Sequence, residues 1–600
     1  MFTSLLVAEV THAQTADLTN KQENITIESD ITLTIKGDVD NKTNSTITNG
    51  GTITSTGSWN NNGTFNDSGK VILNGSSAQD ITGNSNFKEL EINSSSTVTL
   101  VSGTQKVWHT LSLTDGVFDV SADSLILLSN DTLTARVGPV QTGAYMTGNY
   151  TKQRYVSGTD SWRILSSPMN NADIEGWNDD FAMSGFLGTD HVGWNWVSVY
   201  HYDETNTGIA DYGWTAPTNT SNTLTPGKGY LCWVGEDLGD NIAITLDLTS
   251  GLTSGTQNIT TSYTDGPEDD NHDGWNLIGN PYPSDIFWNG NINLSGTLTQ
   301  YAYLYNPSTS NYDVIDTSSG ASIPSHQGFW VKVAAGSGTH NETITFEEQN
   351  KAPDGNNFLK TSQDSGIVIS LSGYGMKNKC SIRFDDDATN QYDWKYDAFK
   401  LPSHNPDIPN IAAITDDGLD MFINTLPDDY VNFNVPIRLF WNDSEPSTIP
   451  FYELNLNIES LPDNLSHVCI EDLMTNEFIT LQEGDNLPFT TSYYVNAPTR
   501  FVIHGPGSNC QPISTAIHEY LEDRIQVLQN TDAIIVNFNL FEKSRVDIHI
   551  INTLGQYIAT KSSSIQTGKI ELNKSNLAFG TYTVKVNTDK GATTKKILVY

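Results

Sequence analysis

The sequence is short of positive charge: 31 Lys and Arg stand against 70 Asp and Glu, a formal net charge of −39. Such a chain repels polyanions, which argues against nucleic acid and anionic lipid as partners. It has no run of about 18 apolar residues, so nothing reads as a membrane span. Cysteine is scarce. Cys232, Cys380, Cys469 and Cys510 lie far apart without CxxC or zinc spacing. Cores of this size need no staples, so disulfides and buried free thiols both stay open. HExxH, GxSxG, a Walker loop and a GxGxxG after a strand are all missing. The 12 His are scattered, with no close pair. A glycosidase carboxylate pair is a spatial motif, and 70 acidic residues offer many combinations.

What is present is β pattern. Helix formers are sparse, while Thr, Ser, Asn, Gly, β-branched and aromatic residues abound. A hydrophobic content of 37% with 10% aromatics is enough for packed cores. The expected class is all-β: an N-terminal β-solenoid (parallel β-helix-like), then tandem β-sandwich domains, then a small C-terminal Ig-like sandwich. The boundaries read as 1–13 signal peptide remnant, 14–145 solenoid, 146–250 and 251–350 repeat units, 351–512 sandwich spacer, and 513–600 terminal module.

The terminal module differs in charge. Ile525 to Tyr600 holds nine Lys/Arg and five Asp/Glu, a net of +4, so residues 1–524 carry −39 − 4 = −43. Val536, Phe538 and Leu540 alternate with polar residues, as do Val546, Ile548 and Ile550, and then Tyr582, Val584 and Val586. Period two with one apolar face means half-buried strands. "VDIHIINTLGQYI", "LAFGTYTVKV" and the terminal "KKILVY" resemble the type A C-terminal sorting domain of the Bacteroidota type IX secretion system. On that resemblance Gly555, Gly580, Tyr582, Lys595 and Lys596 carry the motif. The opening departs from the family, because "VLQNTDAIIV" lacks its Tyr-Pro-Asn-Pro-like turn. The resemblance implies a cargo of the type IX machinery, secreted or held at the outer surface after passing the periplasm. "MFTSLLVAEVTHAQ" fits as a shortened signal peptide without its basic start.

From about Ile25 to Asn130, strands of four to six residues recur between Asn, Gly, Ser and Asp corners, as in "STITNGGTITS" and "GSWNNNGTFND". Such spacing predicts a solenoid, with a meandering sandwich as the alternative. The segment resembles the solenoid-like starts of large secreted Bacteroidota surface proteins. Asp123-Ser124-Leu125 and Asp131-Thr132-Leu133 resemble the O-glycosylation sequon of that phylum.

From about Tyr150 to Asn350 the chain repeats itself. "DSWRILSSPM" answers "DGWNLIGNPYP", and "LTPGKGYLCWV" answers "SIPSHQGFWVKV". Trp162 thus pairs with Trp275, Pro168 with Pro281, Gly229 with Gly328 and Tyr230 with Phe329. The Trp anchors a strand, the Pro ends it, and the Gly permits close backbone approach. Trp177, Trp194, Trp196, Trp214 and Trp288 sit in polar, Gly- and Asn-rich surroundings, as carbohydrate-stacking rings do. Packing in the core is the competing reading. Trp194 and Trp196 share a strand parity and so one face. Asp269, Asn271 and Asp273, followed by Gly274, match the first half of a calcium loop, although Asn280 stands where the twelfth ligand belongs. Ca2+ and a plain solvated turn both fit.

Residues 351–512 alternate over seven segments and resemble a spacer module found before such sorting domains. Two functions remain open. One is a non-catalytic surface protein, an adhesin or stalk that binds an extracellular glycan or protein. The other is a secreted polymer hydrolase with its site in residues 150–350.

Overall fold

The computed structural model describes residues 16–599 with interruptions, the longest at 236–242, 354–365, 442–450 and 508–524. The chain divides into two compact units, one holding residues up to 307 with 313–362, the other holding 308–312 with 363–600.

The first unit opens with a β-solenoid of about six turns. Its strands stack in parallel: Leu18–Asn20 on Val39–Asn41 on Trp59–Asn61, Asn24–Ile27 on Thr46–Asn49 on Thr64–Asp67, and Thr32–Ile35 on Thr52–Ser55 on Lys70–Leu73. Parallel register removes the sandwich alternative. Every turn sends the same positions inward. Ile53, Val71, Leu90, Leu111 and Val137 follow one another along one inner stripe, each fully buried. Trp59 fills the interior with edge contacts to Phe65 and Phe87, its Nε1 donating to Ser85 Oγ at 3.0 Å.

A polar ladder runs up one inner corner. Asn20 Nδ2 donates to Asn41 Oδ1 at 3.0 Å, and Asn41 Nδ2 donates to Asn61 Oδ1 at 2.8 Å. All three amides are buried, so each must find its partner within the stack. Asn41 Nδ2 also donates to the Thr64 carbonyl at 3.0 Å, tying the corner to the next turn.

The stack ends at strand Tyr150–Val156. One edge pairs in parallel with Leu125–Leu127, and the other pairs antiparallel with Ile244–Leu252. The solenoid core therefore continues without a break into the first repeat copy, through Trp177, Phe181, Leu246 and Leu248. The second copy has its own core around Trp288, Phe329 and Phe346. It docks on the last solenoid turns, where Val137 N–H donates to the Pro283 carbonyl at 3.0 Å. The buried Lys351 pairs there with Glu348 at 2.7 Å and donates to the Gly138 carbonyl.

The two copies share one topology. In the first, Ser161–Ser166 pairs with Gly229–Val234, which pairs with Val199–Tyr202. In the second, Trp275–Gly279 pairs with Gly328–Lys332, which pairs with Tyr301–Asn306. Registers coincide: Ser166 faces Gly229 as Gly279 faces Gly328, and Tyr200 faces Leu231 as Tyr303 faces Trp330.

The copies also meet reciprocally. Ser166 N–H donates to the His326 carbonyl at 2.9 Å, and Gly279 N–H donates to the Gly227 carbonyl at 3.0 Å. Isolated bridges join Leu165 to Gln327 and Ile278 to Lys228. Each contact has its counterpart with the roles exchanged, which is the signature of a pseudo-two-fold pairing. Gly229 and Gly328 lie at close points of the pairing. A Cβ on Gly229 would lie 2.6 Å from the Ile278 carbonyl oxygen, and one on Gly328 would lie 2.7 Å from that of Leu165. The Gly that precedes the aromatic residue therefore serves the close approach its sequence position implies.

In the second unit, an 11-stranded sheet is built around a core that includes Trp441, Tyr452 and Phe501. A five-stranded module follows, with Val536, Phe538, Val546, Ile548, Ile550, Val584 and Val586 all turned inward. Cys232 and Cys380 are buried free thiols, and Cys469 is disulfide-bonded. Burial pushes the Cys380 thiol up to about 12. Among the described residues, no helix is long and apolar enough to cross a membrane. Residues 1–13, read as a signal, lie outside the described residues.

Candidate functional site

Period two sorts the first copy's sheet into two faces. Leu165, Val199, Tyr230, Cys232 and Val234 point into the solenoid core. Trp162 and Trp233 face each other across the strand pair on the opposite side, and Tyr202 lies opposite Trp214 in a second pair. Ring contacts join these residues into one seam. Trp162 touches Trp196 at 5.8 Å, Trp233 at 5.7 Å and Tyr200 at 6.2 Å between centroids, mostly edge to face. Tyr200 touches Trp214 at 6.3 Å, and Trp214 touches Tyr202 at 5.3 Å.

The seam then crosses to the second copy. Trp330 meets Tyr202 at 4.8 Å and Trp214 at 5.6 Å, and beyond it lie Trp275 and Tyr303. The two ends differ. Trp275, Tyr303 and Trp330 are buried, and the buried Lys332 sits over the Trp275 ring while its Nζ donates to the Asp273 carbonyl. Trp162, Trp196, Tyr200, Tyr202, Trp214 and Trp233 are only half-buried. Edge-to-face packing fixes these rings without covering them, and large rigid aromatics lose little freedom when a ligand stacks on them.

Polar groups flank the seam. His201, on the same strand as Tyr200 and Tyr202, is held below its usual pKa by burial and by the Lys228 charge. Glu204 follows that strand and is a structural brace. Its carboxylate accepts from Ser262 Oγ, Thr264 N–H and Oγ1, and Gly274 N–H, so it fixes the start of the second copy's Trp strand.

The structure sorts the residues singled out by sequence. Trp196 and Trp214 belong to the half-open seam. Trp177 and Trp288 are corrected: Trp177 is fully buried against Phe181 and Tyr230, and Trp288 is fully buried against Phe329 and Phe346 with Nε1 donating to the Gln300 carbonyl at 2.8 Å, and a side chain without exposed surface cannot stack on a ligand. Trp194 lies outside the described residues, so the parity argument for it goes no further. Asp269 and Asn271 also lie outside them. Asp273 is buried, and its Oδ2 accepts Gly266 N–H at 2.9 Å. Among the described residues no group of three His, Cys, Asp or Glu is arranged to hold a metal. Of the tail positions, Gly555 lies outside the described residues. Gly580 opens its strand at φ +156, Tyr582 is buried with its hydroxyl donating to the Ala578 carbonyl, and Lys595 and Lys596 are exposed opposite Val584 and Thr583. Ser124 and Thr132, in the sequon-like triplets, are both exposed.

Sequence reasoning missed Trp233, Tyr200 and Tyr202, and it read Trp162 only as an apolar anchor. The available signal was alternation: Trp233 and Trp162 share a face once the two strands are paired.

Residues 54–504 match the family model described as Domain of unknown function (DUF8693). Residues 530–600 match the Secretion system C-terminal sorting domain. No curated protein matches. A solved structure titled "Biofilm associated protein - BSP domain" aligns at 10% identity and a TM-score of 0.14, over 75% of this chain and 92% of that chain, a likeness too low to carry an argument. The tail match makes the chain a cargo of the type IX secretion machinery, secreted or displayed at the cell surface.

Proposed function

The chain belongs to the family described as Domain of unknown function (DUF8693), and we propose that it acts outside the cell as a non-catalytic adhesin-like protein that binds glycan. The half-open aromatic seam carries this reading. Trp162, Trp196, Trp233, Tyr200 and Trp214 form a continuous strip of rings on the outer face of one sheet. Sugars present apolar C–H faces, and a strip of rings held in place by one another accepts them at little entropic cost. The solenoid serves as the rigid stalk that carries the seam.

The test uses the secreted full-length protein on a glycan array and on a panel of chromogenic polysaccharides. The expected result is binding without turnover, weakened at least about tenfold by Trp196→Ala, a loss of about 1.4 kcal/mol. Turnover of any polymer would refute the non-catalytic assignment in favour of a hydrolase. Glycan binding that Trp196→Ala and Trp214→Ala leave intact would refute the seam. Calcium at Asp269, Asn271 and Asp273 is proposed as a stabiliser of the segment that leads into strand Trp275–Gly279. Melting with and without a chelator tests it, and an unchanged midpoint removes the ion.

A further inference from the structure

In the second unit, far in sequence from the seam, three buried side chains converge where the strands Met376–Phe384 and Asn410–Ile414 and the residue after Ala398–Phe399 come together. Lys400, Asn378 and Asn410 are 7%, 2% and 0% exposed. Lys400 Nζ lies 2.5 Å from Asn378 Oδ1 and 2.8 Å from the Lys379 carbonyl, and it sits over the Phe422 ring at 5.1 Å. Asn378 Nδ2 donates to Asn410 Oδ1 at 3.1 Å, and Asn410 Oδ1 is itself fixed by Ser403 N–H at 2.9 Å. Ile411 N–H points at Asn378 Oδ1 from 3.4 Å.

The geometry points to an intramolecular amide cross-link between Lys400 and Asn378. The amine of Lys400 attacks Asn378 Cγ. A Cγ–Nζ bond forms, the Cγ–Nδ2 bond breaks, one Nζ proton passes to the departing Nδ2, and ammonia leaves. No electron is gained or lost, so no oxidant is required. The surroundings supply what the step needs. Ile411 N–H opposes the charge that develops on Oδ1. Asn410 Oδ1 holds the leaving nitrogen in place. Burial lowers the Lys400 pKa to about 7, so a substantial fraction is free amine at neutral pH. Packing of the whole group excludes the water that would compete for Cγ.

The test is the mass of the purified full-length protein, denatured before measurement. The expected mass is below that calculated for the chain as purified by about 17 Da, one ammonia, and a proteolytic digest yields a branched peptide joining the Asn378 and Lys400 segments. Cyclisation of Gln14, if cleavage follows Ala13, loses the same mass, so the branched peptide is the deciding readout. Lys400→Arg keeps the positive charge but cannot transfer its nitrogen in this way, and it is expected to give only linear peptides. Linear, unmodified Asn378 and Lys400 peptides from the wild-type chain would overturn the cross-link. The result does not depend on the variant folding, because the wild-type digest decides it.

Discussion

Gly229→Ala tests the pseudo-two-fold pairing at a point where backbone meets backbone across the copies. The added Cβ would lie 2.6 Å from the Ile278 carbonyl oxygen and 2.8 Å from Leu277 Cγ. Backbone cannot yield there without moving one copy against the other, and overpacking of this kind costs about 1–3 kcal/mol. Moving the copies apart also stretches the reciprocal pair Ser166 N–H to His326 and Gly279 N–H to Gly227, together worth about 1–3 kcal/mol. A loss of about 2–6 kcal/mol is therefore expected in the transition of the first unit, a range whose upper end is that of the most damaging single substitutions. Gly290→Ala is the control: nothing lies within 4 Å of its Cβ position, so it should stay within about 0.5 kcal/mol of wild type. Urea unfolding followed by tryptophan fluorescence reads the effect, because Trp214 and Trp330 touch across the joint. Gly229→Ala with Gly328→Ala should cost less than the sum of the singles, since the first Cβ already opens the gap that the second needs. A Gly229→Ala midpoint equal to that of Gly290→Ala would refute the pairing.

Asn41→Ala removes the donor to Asn61 and Thr64 and the acceptor for Asn20 inside the solenoid. It leaves buried polar atoms without partners, so a loss of about 2–3 kcal/mol is expected in urea unfolding, and a change below about 0.5 kcal/mol would show that the ladder contributes nothing. Asp397 offers a pH test in the second unit. Burial, followed by the nearby Asp393 and Asp417 charges, raises its carboxyl to about 7, although Asp393 N–H and Thr425 N–H donate to it. The folded state then holds a proton that the unfolded chain releases above about pH 4. Stability should therefore fall as pH rises from about 4 to 7. Asp397→Asn should flatten that slope, and an unchanged slope in the variant would assign it elsewhere.

Much of the fold was legible because burial follows short periods. The solenoid strands, the tail strands and the seven alternating spacer segments all pair two-residue alternation with Gly or Asn corners. The strand Asn410–Ile414 escaped because every residue in it is buried, so no alternation marks it. Trp288 was misread for a related reason. Its polar neighbours suggested a surface, but Gln300 takes its indole N–H in the interior, and a satisfied Trp needs no water. The repeat was visible in matching Trp, Gly and Pro positions. The way one copy clasps the other was not, because it rests on backbone groups that every residue type carries. The seam lay between these cases: its residues were conspicuous, but their common face depended on pairing strands some 70 residues apart, as with Trp162 and Trp233.

Strand Tyr150–Val156 receives its second neighbour, Ile244–Leu252, only after more than 80 further residues. A chain emerging from its N-terminus thus completes every coil of the solenoid while the final rim still presents unpaired amides and carbonyls. Until residue 252 arrives, that rim is a sticky template on which a sibling chain could stack. The intervening first copy therefore acts as a timed lid, and truncations ending between 156 and 244 should polymerise end to end where slightly longer ones stay dispersed.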